Sequence, residues 1–141
     1  MSRAELIPYA ALLLRVALGV LFLAHAWLKY SVYTPAGTAK YFESLGLPGF
    51  VGYLIMAAET IGGICLILGI ATSLVAIALI PLMLGTIVLV HGKNGWVFAN
   101  PGGGWEFPAF WAVTLVVQAL LGSGAWSLGH VLGIGTRGIM R

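Results

Sequence analysis

Residues 56–63, Met-Ala-Ala-Glu-Thr-Ile-Gly-Gly, set one carboxylate inside a run from Phe50 to Val90 that is otherwise almost unbroken apolar sequence. A bilayer-spanning helix needs about 20 mainly apolar residues, so this run is too long for one span and has to fold back. The best reversal point is Gly69-Ile70-Ala71-Thr72-Ser73, a glycine able to end one helix followed by hydroxyl residues able to cap the next. That predicts spans over 50–71 and 74–90, tightly joined and antiparallel. Pro81, midway along the second of them, removes a backbone donor opposite the Ile77 carbonyl and is expected to kink the helix.

The rest of the chain has the same character. Of its 141 residues 60% are apolar and 8% charged, with a mean hydropathy of +1.02, whereas soluble domains average about a quarter charged residues. Two further spans are expected, over 6–30 and 107–121. Pro8 is tolerable in a first helical turn, where no backbone donor is needed. Ala24-His25-Ala26 has the small-x-small form of a signal-peptide cleavage site, but Arg15 interrupts the apolar region before it, so the segment reads as a retained span. The expected fold is all-α: one membrane domain over 1–141, built as a four-transmembrane-helix bundle.

Between the spans lie a connector at 31–49, with room for a short surface helix around Ala39–Leu45, and a glycine- and tryptophan-bearing loop at 92–107. The tail after Leu121 is glycine-rich and reads as surface-lying or irregular. Four spans put both termini on one side of the membrane. Arg3, Arg137 and Arg141 then stand against Lys29, Lys40 and Lys93, a tie that tips toward cytoplasmic termini if Lys29 belongs to a site.

Several functions are excluded. The basic residues are scattered, so no nucleic-acid surface forms. Cys65 is the only cysteine, which removes internal dithiol chemistry. There is no dinucleotide fingerprint and no set of cluster ligands, so electrons for any redox role have to come from a partner oxidoreductase, soluble or membrane-bound.

What remains is a set of charges where charge is expensive, about 2.5–3.5 kcal/mol each at mid-bilayer on insertion scales. Counted along their spans, Arg15 and Glu59 fall within about 5 Å of the same depth, which predicts an ion pair. Gly52, Gly62 and Gly63 share the helix face of Glu59 and would let another backbone approach closely. Such a pair could serve only to fix helix register, or it could be the charged centre of a pocket. His25 and Lys29, four apart on one helix, form a second group with His91 and Glu106 toward the opposite membrane face.

Two histidines at similar depth could ligate haem or a metal, but no CxxCH or HExxH pattern supports that. A quinone headgroup fits the residue types better: its two oxygens need donors such as histidine, arginine or lysine, and its protons need carboxylate or imidazole. Trp27, Trp96 and Trp105 could line a pocket for a flat ring or anchor the chain at the interface.

In order and spacing these residues resemble the DoxX family of small bacterial inner-membrane proteins. The resemblance is carried by Arg15-Val16-Ala17-Leu18-Gly19 with Phe22, His25 and Lys29, by Gly46-Leu47-Pro48, by Glu59-Thr60-Ile61-Gly62-Gly63 with Gly69, by His91-Gly92, Gly95-Trp96 and Gly104-Trp105-Glu106-Phe107, and by the closing Gly122–Leu128 segment. Two positions depart from it: Thr72-Ser73 stands where the family has a Thr-Arg pair, and Gly129 follows Leu128 where the family has an aspartate. The resemblance implies a four-helix membrane protein; some relatives are subunits of quinone-linked oxidoreductase assemblies.

The expected function is therefore a membrane subunit of a redox system that binds quinone or quinol between its helices. Arg15 and Glu59 would be its catalytic centre, and His25, Lys29, His91, Trp96 and Glu106 its binding residues, with no metal. The alternative is a non-catalytic scaffold or small-solute permeation helper. Expected partners are the lipid bilayer, an oxidoreductase and further copies of the chain.

Overall fold

The computed structural model describes residues 1–134. Among these the regular secondary structure is all helical: α1 (Arg3–Ser31), α2 (Pro35–Ser44), α3 (Phe50–Leu68), α4 (Thr72–Thr86), α5 (Glu106–Leu121) and α6 (Leu128–Leu132). Arg137 and Arg141, used above to count charges, lie outside the described residues.

α1, α3 and the helix formed by α4 with its continuation to Asn94 are each long and apolar enough to cross a membrane; α5 is a shorter apolar helix of 16 residues. At 1.5 Å per residue α5 is about 24 Å long, a little under the bilayer's hydrocarbon thickness of about 30 Å. α1 packs on α3, α3 on α4, α4 on α5 and α5 back on α1, closing a four-helix bundle around Leu18, Phe22, Leu66, Leu79, Met83, Trp111 and Leu115. Leu13, Leu54, Leu74, Val88 and Leu120 are exposed on the outside, as a lipid-facing surface requires.

Lipid is as apolar as leucine, so close packing rather than burial from water has to hold these helices together. The α1–α3 crossing depends on two glycines. A Cβ on Gly19 would lie 2.7 Å from the Gly63 carbonyl oxygen, and one on Gly63 would lie 3.0 Å from the Gly19 carbonyl oxygen and 2.9 Å from Leu23 Cγ. Gly63→Ala is therefore expected to push the two backbones apart and cost about 1–3 kcal/mol, as overpacking does, read as a lower unfolding midpoint in detergent. An unchanged midpoint would mean the crossing is looser than this geometry.

The reversal after α3 falls where the sequence placed it. Gly69, at φ +72, is the left-handed C-cap, and its N–H returns to Cys65 and Leu66. The capping is not as expected. α3 ends at Leu68 and α4 begins at Thr72, with Ala71 as an N-cap that offers no side-chain bond. Thr72 and Ser73 turn instead toward the rest of the bundle: Ser123 Oγ donates to Thr72 Oγ1 at 3.0 Å, and Ser73 Oγ donates to the Ala119 carbonyl at 2.9 Å.

α4 runs through Pro81, and a π-helical turn follows at Ile87–His91. Such turns widen a helix by one residue. The connector helix is longer than expected, Pro35–Ser44, with Thr34 as its cap. The start of the tail is not loose: the Ala125 N–H donates to the Pro8 carbonyl, and the Ser127 hydroxyl donates to the Gly69 carbonyl at 2.7 Å.

Candidate functional site

Glu59 does not pair with Arg15. Its Oε1 lies 2.9 Å from Lys29 Nζ, and the two side chains are 5% and 20% exposed. Two facts of helix geometry produce this pairing. Side chains lean toward their own helix N-terminus, so Lys29 reaches back along α1 toward the middle of the bundle. The ends of α1 and α3 are also not level: Arg15 contacts Leu66, Ile67 and Gly69 at the end of α3, while α1 begins about twelve residues earlier, at Arg3. Counting both spans from a common end therefore misplaced Glu59 by roughly 10 Å.

Arg15 is completely buried and bonds only to backbone. Nε donates to the Ser123 carbonyl at 2.8 Å, Nη1 to Leu66 and Ile67 at 3.1 and 2.5 Å, and Nη2 to Ala125 and Trp126 at 2.8 and 2.9 Å. All five N–H donors of a guanidinium are thus used. Two of the acceptors are last-turn carbonyls of α3, the negative end of that helix dipole. Arg15 is a fastener between α1, α3 and the 123–126 segment, away from the Lys29–Glu59 pair.

The pair lines a cavity of about 820 Å³ together with His25, His91, Trp111, Phe107 and Pro81, and α2 contributes Thr38, Tyr41 and Phe42 to its wall. The sequence-derived candidates His25, Lys29, Glu59 and His91 therefore do come together. Trp96 and Glu106 do not join them. They line a separate, shallower surface with Phe98, Phe107 and Phe110, where Glu106 Oε2 accepts from the Phe98 N–H at 3.1 Å and so holds the loop closed.

Each histidine is oriented by a backbone carbonyl. His25 Nδ1 lies 2.9 Å from the Leu21 carbonyl and His91 Nδ1 lies 2.9 Å from the Gly103 carbonyl. A carbonyl only accepts, so both Nδ1 atoms carry hydrogen, and in the neutral form of each ring the lone pair falls on Nε2. Asn94 supports the His91 contact from below, donating to the Gly102 and Gly103 carbonyls at 3.1 and 3.0 Å. The glycine-rich loop thus serves to hold His91.

Trp111 was missed in the sequence. Its ring lies 4.8 Å from that of His25 and 4.7 Å from that of Phe22. It is 4% exposed, and its Nε1–H has no acceptor among the described residues. The available signal was its position inside α5, since membrane tryptophans favour the interface. Trp27, by contrast, is 66% exposed. Glu59 Oε2 is likewise buried with no partner among the described residues, and no group of three or more metal-ligating side chains converges among them.

The apolar helices form the bundle of an integral membrane protein, with an ion pair and a cavity inside it. Residues 10–92 match the DoxX family model, and the chain belongs to that family. Among curated proteins it is 36% identical over 112 residues to "Putative oxidoreductase CatD" of Bacillus subtilis (strain 168), covering 79% of this chain and 78% of that one. It is 29% identical over 123 residues to "Inner membrane protein YqjF" of Escherichia coli (strain K12), covering 86% and 90%. No solved structure matches.

Proposed function

We propose that the chain is the membrane subunit of a redox system and binds a quinone or quinol headgroup in the cavity between α1, α3, α4 and α5. The observation that carries this reading is the buried Lys29–Glu59 pair at a cavity of about 820 Å³, a size in the range of small-molecule sites. A buried pair that only fixed register would be expected to have its remaining polar atoms satisfied, yet Glu59 Oε2 has no partner among the described residues. Phe107 and Trp111 supply flat apolar wall beside Lys29 and the two imidazoles, the combination a substituted ring with two polar oxygens needs. The oxidoreductase name of the Bacillus relative agrees with this class.

Electrons reach the bound ring from a partner oxidoreductase, because the sequence has no dinucleotide fingerprint, no set of cluster ligands and a single cysteine. The termini face the cytoplasm: with Lys29 held in the ion pair, Arg3, Arg137 and Arg141 outnumber Lys40 and Lys93. On the inner-membrane name of YqjF we place the chain in that same membrane.

The test is mass spectrometry of quinones and lipids extracted from purified wild type and from Glu59→Gln at matched yield, against bulk membrane. Quinone plus quinol at near one per chain in wild type and at least tenfold less in the variant is the expected result. Absence of enrichment in wild type would sink the reading and leave a scaffold or permeation role.

A further inference from the structure

The residues that line the cavity carry polar atoms of two kinds, and only some ligands can satisfy both. Donors are Lys29 Nζ, which has N–H groups beyond the one given to Glu59, and Trp111 Nε1. Acceptors are Glu59 Oε2 and, in the neutral form of each ring, the Nε2 lone pairs of His25 and His91, whose Nδ1 atoms face carbonyls. We propose that this cavity selects the reduced, dihydroxylated form of its aromatic ligand over the oxidised dione, an inference that rests on the quinone-site reading above and narrows it.

A dione carries lone pairs and no O–H. It can accept from Lys29 or Trp111, but it offers nothing to Glu59 Oε2 or to the imidazoles, and a carbonyl oxygen brought against a carboxylate oxygen sets lone pair against lone pair. A hydroquinone hydroxyl donates and accepts at once. One hydroxyl can accept from Lys29 while donating to Glu59 Oε2, and the second can donate to an imidazole Nε2. Buried polar groups left unpaired are what makes a site reject the analogue lacking a hydroxyl, with large discrimination where the site was built for it. The Glu59 side chain is 5% exposed and Trp111 is 4% exposed, so water cannot readily compensate for the missing bond.

The experiment is calorimetric titration of the full-length chain in lipid nanodiscs, under anaerobic conditions, with decylbenzoquinone and with decylhydroquinone. The hydroquinone is expected to bind at least tenfold more tightly. The same ratio raises the midpoint potential of the bound two-electron couple by about 30 mV per factor of ten. Equal or tighter binding of the dione overturns the selectivity while leaving the quinone site standing; binding of neither overturns both. In Glu59→Gln the amide presents N–H as well as C=O, and the ratio is expected to fall toward one. A variant that binds with the full wild-type ratio would remove Glu59 from the role of acceptor and overturn the assignment.

Discussion

Replacing Arg15 by methionine is expected to destabilise the folded bundle by about 3–5 kcal/mol, the order expected when several buried carbonyls lose a charged hydrogen-bond partner, and to collapse membrane abundance. Methionine keeps much of the volume and removes all five donors. The carbonyls of Leu66, Ile67, Ser123, Ala125 and Trp126 then lose their shared partner. Three of the five lie in the 123–126 segment, where no helix ladder is available to take them up. Trp126, at φ +52, holds a backbone conformation that costs free energy and persists only while its surroundings enforce it. Arg15→Lys should recover only part of the loss, because an ammonium has three donors on one atom and cannot span acceptors contributed by α3 on one side and the 123–126 segment on the other. The check is the unfolding midpoint in detergent with abundance by immunoblot. Wild-type stability in Arg15→Met would mean that the guanidinium is not the fastener described here.

The sequence revealed that Glu59 faces inward, because Gly52, Gly62 and Gly63 repeat on its helix face and all three are buried. It also revealed that His25 and Lys29 share a side of α1, since helical spacing alone requires it. The partner of Arg15 was not legible. Its acceptors are backbone carbonyls, and every residue has one, so no residue type in the sequence marks the contact. The depth of Glu59 was misread for a related reason. Periodicity gives the phase of a helix, but the offset between two helices is set by the Gly19–Gly63 crossing and by how far α1 projects past α3. Glu106 was grouped with His91 by its expected depth in the membrane, and Trp96 as a wall for a flat ring, yet the loop folds both onto a separate surface. The same folding of Gly102–Gly104 against Asn94 brings a carbonyl to His91. Thr72 and Ser73 carried the signature of a helix cap, but α5 and the 123–126 segment offered them partners that a local rule does not include.

Removing Lys29 alone should harm the protein more than removing the charge from both members of its pair. In Lys29→Met the Glu59 carboxylate stays on a helix whose other mid-span residues carry no charge, with Oε1 newly unpaired beside the already unpartnered Oε2. Breaking a buried pair from one side costs about 3–5 kcal/mol, and the 20% exposure of Lys29 places this case near the low end, at about 3 kcal/mol. In the double variant Lys29→Met, Glu59→Gln no ion is left to desolvate, and most of that loss should return, because no uncompensated buried charge remains. Stability and ligand then part company. If the pair exists to hold α1 against α3, a double variant of wild-type stability should be wild type in every respect. If the pair is the floor of a binding site, the same well-folded double variant should lose at least tenfold of its bound quinone, because it lacks both the ammonium and the carboxylate that face the ring. Unfolding midpoints and extracted quinone, measured on the same four proteins of the cycle, separate the two roles without relying on any variant that fails to fold. Restored stability with undiminished quinone would assign Lys29 and Glu59 to architecture and move the search for the headgroup contacts to His25, His91 and Trp111.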